Sequence, residues 1–119
     1  MATADTGGRP HVVPIVFATE GDRVWTAVDH KPKRTRALQR LANARANPRV
    51  SLLADHYEED WSALWWVRAD GVARVLAVAD APRGMELLAE RYPVYRLHPP
   101  EGPVVEVAVQ RWTGWSAQG

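Results

Sequence analysis

The run Thr6-Gly7-Gly8-Arg9-Pro10-His11-Val12-Val13-Pro14-Ile15-Val16-Phe17-Ala18 opens on a turn and carries a proline inside an apolar stretch. Gly7-Gly8 supplies the positive backbone angles of a tight hairpin, so residues 2–5 and 9–18 are expected to pair as antiparallel strands. Pro14 has no N–H to give a ladder, which makes the second strand an edge or bulges it locally. Glu20-Gly21-Asp22 forms the next turn, and Arg23-Val24-Trp25-Thr26-Ala27-Val28 the third strand. Turn signals at this spacing predict an antiparallel meander.

The period then changes. Residues 34–46 lack glycine and proline, and Leu38, Leu41, Ala42 and Arg45 recur at helical spacing. Asn47-Pro48 stops that helix, because a residue before proline avoids the α region. Residues 50–54 read as a fourth strand, 55–60 as an acidic loop, and 64–75 as a fifth strand broken or bulged at Asp70-Gly71. Asp80 is placed to cap a second helix with Pro82 in its first turn. Met85, Leu88, Ala89 and Tyr92 share one face of it, and Pro93 ends it. A proline-rich loop over 96–103 leads to a sixth strand, 104–112. Strands dominate and no βαβ rhythm occurs, so the expected class is α+β, mainly β. The architecture is a single domain over 1–119, a six-stranded antiparallel barrel with two peripheral helices.

Composition narrows the function classes. The 119 residues are 46% hydrophobic and 24% charged with net charge +1, as in an ordinary globular domain. No apolar run reaches the roughly 18–20 residues of a membrane span. The first residues have neither the basic start nor the apolar centre of a signal peptide, and a cytoplasmic location is the default expectation. The lack of cysteine excludes disulfides, a thiolate nucleophile and a zinc–thiolate site. Only Lys31 and Lys33 are lysines among fifteen basic residues, a bias towards arginine that suggests a GC-rich bacterial genome. Six tryptophans against one phenylalanine could serve a core, a dimer interface or a platform for a flat ligand.

Charge is concentrated in one place. Between His30 and Ala54 stand seven basic residues and no acidic one. Helical geometry aligns Arg34 and Arg45 with the Leu38/Leu41 stripe and turns Arg36, Arg40 and Asn43 the other way. Free amides at a helix N-terminus beside Lys31, Lys33 and Arg34 suit a phosphate or carboxylate. A solvated basic surface is the plainer reading. Basic Arg36 and Arg40 with stacking tryptophans would also suit nucleic acid, but the chain is near neutral and the patch short. His56, Glu58, Glu59 and Asp60 are consecutive loop residues without metal-site spacing, and no metal is expected. Ser62 and Ser116 lack the glycines of a nucleophile elbow.

The run from Gly8 to Phe17 resembles the second strand of the flavin- and deazaflavin-dependent split-barrel proteins. Val24-Trp25-Thr26-Ala27-Val28-Asp29, Lys31-Pro32-Lys33-Arg34-Thr35 and Ala46-Asn47-Pro48-Arg49-Val50-Ser51-Leu52 follow in the same order. So do Trp61-Ser62, Leu64-Trp65-Trp66-Val67-Arg68-Ala69-Asp70-Gly71 and Arg111-Trp112-Thr113-Gly114-Trp115. The whole chain is similar to the pyridoxamine 5′-phosphate oxidase-like family, most specifically the actinobacterial branch described as coenzyme F420-dependent enzymes. The resemblance implies a homodimer of six-stranded split barrels, with F420, or alternatively FMN, in a cleft between subunits. It implies that Lys31, Lys33, Arg34 and Thr35 meet the phosphate-bearing tail, with Arg40 and Asn43 as further contacts. The ring would lie along Val12, Val13, Pro14 and Ile15, near Trp25 and Thr26, covered by Trp65 or Trp66 of the partner. It implies hydride transfer to a small organic acceptor without a catalytic side chain beyond a proton donor, for which His11, His56 and Tyr57 are weak candidates. A carrier of F420, flavin or haem is the non-catalytic alternative. The helix that usually precedes the first strand in that family is expected to be absent, because Met1 falls at the strand itself.

Overall fold

The computed structural model describes residues 1–28 and 34–119, with side chains left out over 34–38. Its strands are β1 (Ala2–Ala4), β2 (Pro10–Val12), β3 (Ala18–Glu20), β4 (Arg23–Ala27), β5 (Arg49–His56), β6 (Trp65–Leu76) and β7 (Val104–Ser116). The helices are α1 (Arg34–Ala46), α2 (Pro82–Arg91) and α3 (Val94–Leu97). All pairings are antiparallel, in the order β2-β1-β5-β6-β7-β4-β3, and the sheet is mainly-β architecture left open between its two edges.

Seven strands appear where six were expected, because Pro14 divides the segment 9–18 in two. The halves lie at opposite edges of the sheet, β2 beside β1 and β3 beside β4. This forces curvature. Val12 and Ala18 are six residue steps apart, a reach of at most about 21 Å. A flat sheet of seven strands would hold its edges about 29 Å apart, at ~4.8 Å per spacing. The sheet therefore curls until five residues can bridge the gap, and the result is a split barrel.

The concave face holds the main core. Leu41 and Ala44 of α1 pack there with Val24, Val50, Ala69, Ala73, Val105, Val107 and Val109. The convex face is covered at one end by α2 and α3, which bury Trp25, Ala27 and Val104 against Leu88 and Tyr95. The Trp25 indole N–H donates to Glu106 Oε2 at 3.1 Å. Gly84 of α2 sits directly on that ring, where a Cβ would collide with it. No described helix is long and apolar enough to cross a membrane.

Two local expectations need correction. Asp80 does not cap α2: Ala81 holds the N-cap position without a side-chain bond, and Pro82 at the first turn sets the start. The buried side of α1 is rotated from the stripe drawn through Leu38, Leu41, Ala42 and Arg45. Leu41, Asn43 and Ala44 are buried, whereas Ala42 and Arg45 are exposed. A polar residue holds the inner position because it finds a partner: Asn43 Nδ2 donates to Thr3 Oγ1 at 3.1 Å.

Gly71 lies where the β7 backbone passes close to β6, and a Cβ there would run into the Ala108 carbonyl. Gly71→Ala is expected to destabilise the fold by about 3 kcal/mol, since backbone cannot yield as a side chain can. A urea midpoint equal to that of the wild type would contradict this packing.

Candidate functional site

Register decides which side chains enter the split. Val105, Val107 and Val109 alternate inward along β7. Strict alternation would next send Arg111, Thr113 and Trp115 to the same face. The ladder instead slips: Gly71 pairs with Val109 but Asp70 pairs with Arg111, leaving Gln110 as the extra residue of a bulge. Beyond it, Trp112 stands opposite Ala69 on the inner face, and Arg111 faces outward opposite Asp70. One inserted residue thus exchanges a cation for an indole.

The outcome is a hollow of about 430 Å³ at the mouth of the split. Pro14, Ile15 and Phe17 of the bridging segment form one side. Leu52, Ala54, Trp65, Val67, Ala69 and Trp112 form the other, with Met1 and Thr19 at the rim. No charged side chain lines it among the described residues. Its size and apolar walls suit a planar ring system. The bridging segment is held in place from outside. The Tyr92 hydroxyl donates to Phe17 O at 3.0 Å and accepts from Phe17 N at 3.1 Å. Arg91 Nη1 donates to the same carbonyl at 2.7 Å, and its guanidinium lies 4.5 Å from the Phe17 ring centroid.

A cation outside the lining lies within charge range of Met1 at the rim. Arg40 of α1 is half-buried, and its Nε has no hydrogen-bond partner among the described residues. Burial lowers its pKa, an effect that Tyr95 opposes through charge. Met1, which lines the hollow, has an amino group whose pKa is lowered first by burial and then by the Arg40 charge. A desolvated guanidinium with a spare donor is a fitting counterpart for an anion.

The family model described as pyridoxamine 5′-phosphate oxidase matches residues 1–116. The chain belongs to that family. Among curated proteins no sequence matches it. Solved structures with the same fold include the conserved hypothetical protein Rv2991 of Mycobacterium tuberculosis, at 23% identity and TM-score 0.73, covering 98% of this chain and 75% of that one. An F420 reductase aligns at 20% identity and TM-score 0.66, covering 94% of this chain and 85% of that one. The haem storage protein HutZ of Vibrio cholerae aligns at 17% identity and TM-score 0.73, covering 99% and 87%.

In this family member the residues expected at a cofactor site fall into separate groups. Pro14, Ile15 and Trp65 meet in the hollow. Val13 is spent on the β1 edge, where its amide and carbonyl pair with Met1. Val12 and Trp66 lie on the convex face, around a second, shallower depression of about 550 Å³ that also includes Leu53, Asp55, Tyr57 and Arg68. Trp25 is buried on that same face beneath α2, and Thr26 is buried among the strands, so neither lines the hollow. Lys31 and Lys33 lie outside the described residues, as do the side chains of Arg34 and Thr35 at the start of α1. Of the weak proton-donor candidates, His56 at the exposed end of β5 pairs with Glu58, and His11 keeps a buried Nδ1 without a partner among the described residues.

Phe17, Thr19, Leu52, Val67, Ala69 and Trp112 belong to the hollow although the sequence did not single them out as site residues. For Trp112 the signal lay in Asp70-Gly71, which pointed to the bulge but not to the strand that carries it. Asn43 is occupied structurally, accepting from Gln39 Nε2 at 2.8 Å while donating to Thr3. Asn43→Ala is therefore expected to destabilise the protein by about 1–3 kcal/mol, the cost of stranding buried partners. A thermal midpoint unchanged by this substitution would show that the α1–β1 tie carries no stability.

Proposed function

We propose that this protein is an F420-dependent oxidoreductase that passes a hydride between reduced deazaflavin and a small organic acceptor. We place it in the cytoplasm as a homodimer with the cofactor in a cleft between subunits. The observation that carries the reading is a hollow walled by Trp65 and Trp112 without a charged side chain, together with the buried Arg40 Nε, which has no partner among the described residues. The donor set fits the cofactor class: apolar walls for a flat ring, and a spare buried cation donor for an anionic tail.

Arg40, together with Lys31, Lys33, Arg34 and Thr35, would bind the tail, and Pro14 and Ile15 would support the ring edge. When bound, the deazaflavin supplies the hydride from its central ring carbon. The chain's own contribution is to orient ring and acceptor face to face and to keep water out with Trp65, Val67 and Trp112. No side-chain nucleophile is needed for this. FMN is the second reading, since it shares the ring shape and phosphate tail. Haem carriage is favoured less, because no histidine lines the hollow among the described residues to act as an axial ligand.

Equilibrium titration with F420, FMN and haem, each followed by tryptophan quenching, separates these readings. F420 bound in preference is the expected result. FMN alone would shift the assignment to a flavoprotein, haem alone to a carrier, and no binding would overturn the cofactor reading. Consumption of reduced F420 with a quinone acceptor distinguishes an enzyme from a carrier. Lys33→Ala combined with Arg34→Ala is expected to weaken binding by roughly 3–6 kcal/mol, at about 1.5–3 per charged hydrogen bond. Superimposable titration curves would remove the basic segment from the site.

A further inference from the structure

We propose that Asp22 is a positioning residue that fixes Trp112 as a wall of the hollow and so sets how firmly a planar ligand is held. The ligand clause rests on the cofactor reading above; the hold on Trp112 does not. Asp22 lies in the turn between β3 and β4, outside the hollow's lining. It grips β7 on both sides of the bulge. Its carbonyl accepts from Val109 N at 2.8 Å, immediately before Gln110. Its carboxylate Oδ1 accepts from Trp112 Nε1 at 2.9 Å, two residues after Gln110.

The need for such a grip follows from the ladder. A bulge leaves its extra residue unpaired and loosens the local backbone, and a one-residue slip would return Arg111 to the inner face. Trp112 is also 45% exposed, so packing alone does not define its rotamer. An indole has a single N–H, and binding it to a carboxylate on a tight turn selects one orientation of the ring. The turn itself is fixed by Gly21 at φ +57° and by the β3–β4 pairing of Glu20 with Arg23. Asp22 therefore couples a rigid hairpin to the one aromatic wall whose register the bulge puts at risk.

The test begins without ligand. The near-ultraviolet circular dichroism of wild type minus Trp112→Phe isolates the signal of an immobilised Trp112. That difference is expected to disappear in an Asp22→Ala background and to survive in Asp22→Asn, which keeps an Oδ1 acceptor. A difference that persists in Asp22→Ala overturns the proposal, whatever the cofactor. Titration with F420 and with FMN then addresses the hold on the ligand. Asp22→Ala should weaken whichever probe the wild type binds by roughly three- to tenfold, as for one hydrogen bond. Adding it to Trp112→Phe should weaken binding no further, the non-additivity of residues acting through one contact. Additive losses would overturn the positioning role. Failure of the wild type to bind either probe would overturn the cofactor reading and the ligand clause with it, while the dichroism result would still decide the hold on Trp112.

Discussion

The structure depends on a length constraint. Five residues, 13–17, must join strands that sit at opposite edges of a seven-stranded sheet. Their reach is shorter than the flat sheet is wide, so curvature is imposed by covalent geometry before any side chain packs. Pro14 keeps the bridge from simply extending β2 along the edge, since it withholds the N–H a ladder would use. Tyr92 and Arg91 then secure the far end of the bridge at Phe17. The opening that remains between the edges is the hollow.

Core and site share a single face, and the bulge at Gln110 divides them. On one side of it the inner positions of β7 are valines packed under α1, giving the buried cluster that stabilises the barrel. On the other side the inner position belongs to Trp112, and packing gives way to open space. The same irregularity sends Arg111 outward towards Asp70, whose carboxyl lies below the usual range chiefly because Ser51 donates to it at 2.6 Å. Charge is thereby kept out of the hollow and gathered on the convex face. The walls of the split are aromatic and aliphatic, and Arg40 lies outside its lining.

Much of the fold was legible in local sequence, for reasons that are themselves local. Gly7-Gly8 makes a hairpin whatever surrounds it, and Asn47-Pro48 ends a helix by steric exclusion. Arg34–Ala46 is a helix with the boundaries its composition suggested. The irregularity opposite Asp70-Gly71 was also signalled in sequence, though on the strand facing the one that carries the bulge. What local pattern misjudged was orientation. The periodicity of α1 favoured the Leu38–Arg45 stripe, but the buried Asn43 pairs with Thr3, a residue 40 positions away. Asp80 had the chemistry of a cap and lost the position to the Pro82 start.

The sequence by itself determined the main turns, the two longer helices, that the sheet is antiparallel, and to which family the chain belongs, because turn residues, hydrophobic period and motif order act over short range. It did not show α3 or the division of residues 9–18 into two strands. Tertiary structure alone decided that Trp112 faces the hollow while Trp25 is buried behind it, that residues 9–18 serve both edges, and that Asp22 reaches Trp112. Each of these depends on register and curvature across strands distant in the chain, and a single unpaired residue such as Gln110 reverses the facing of every side chain beyond it.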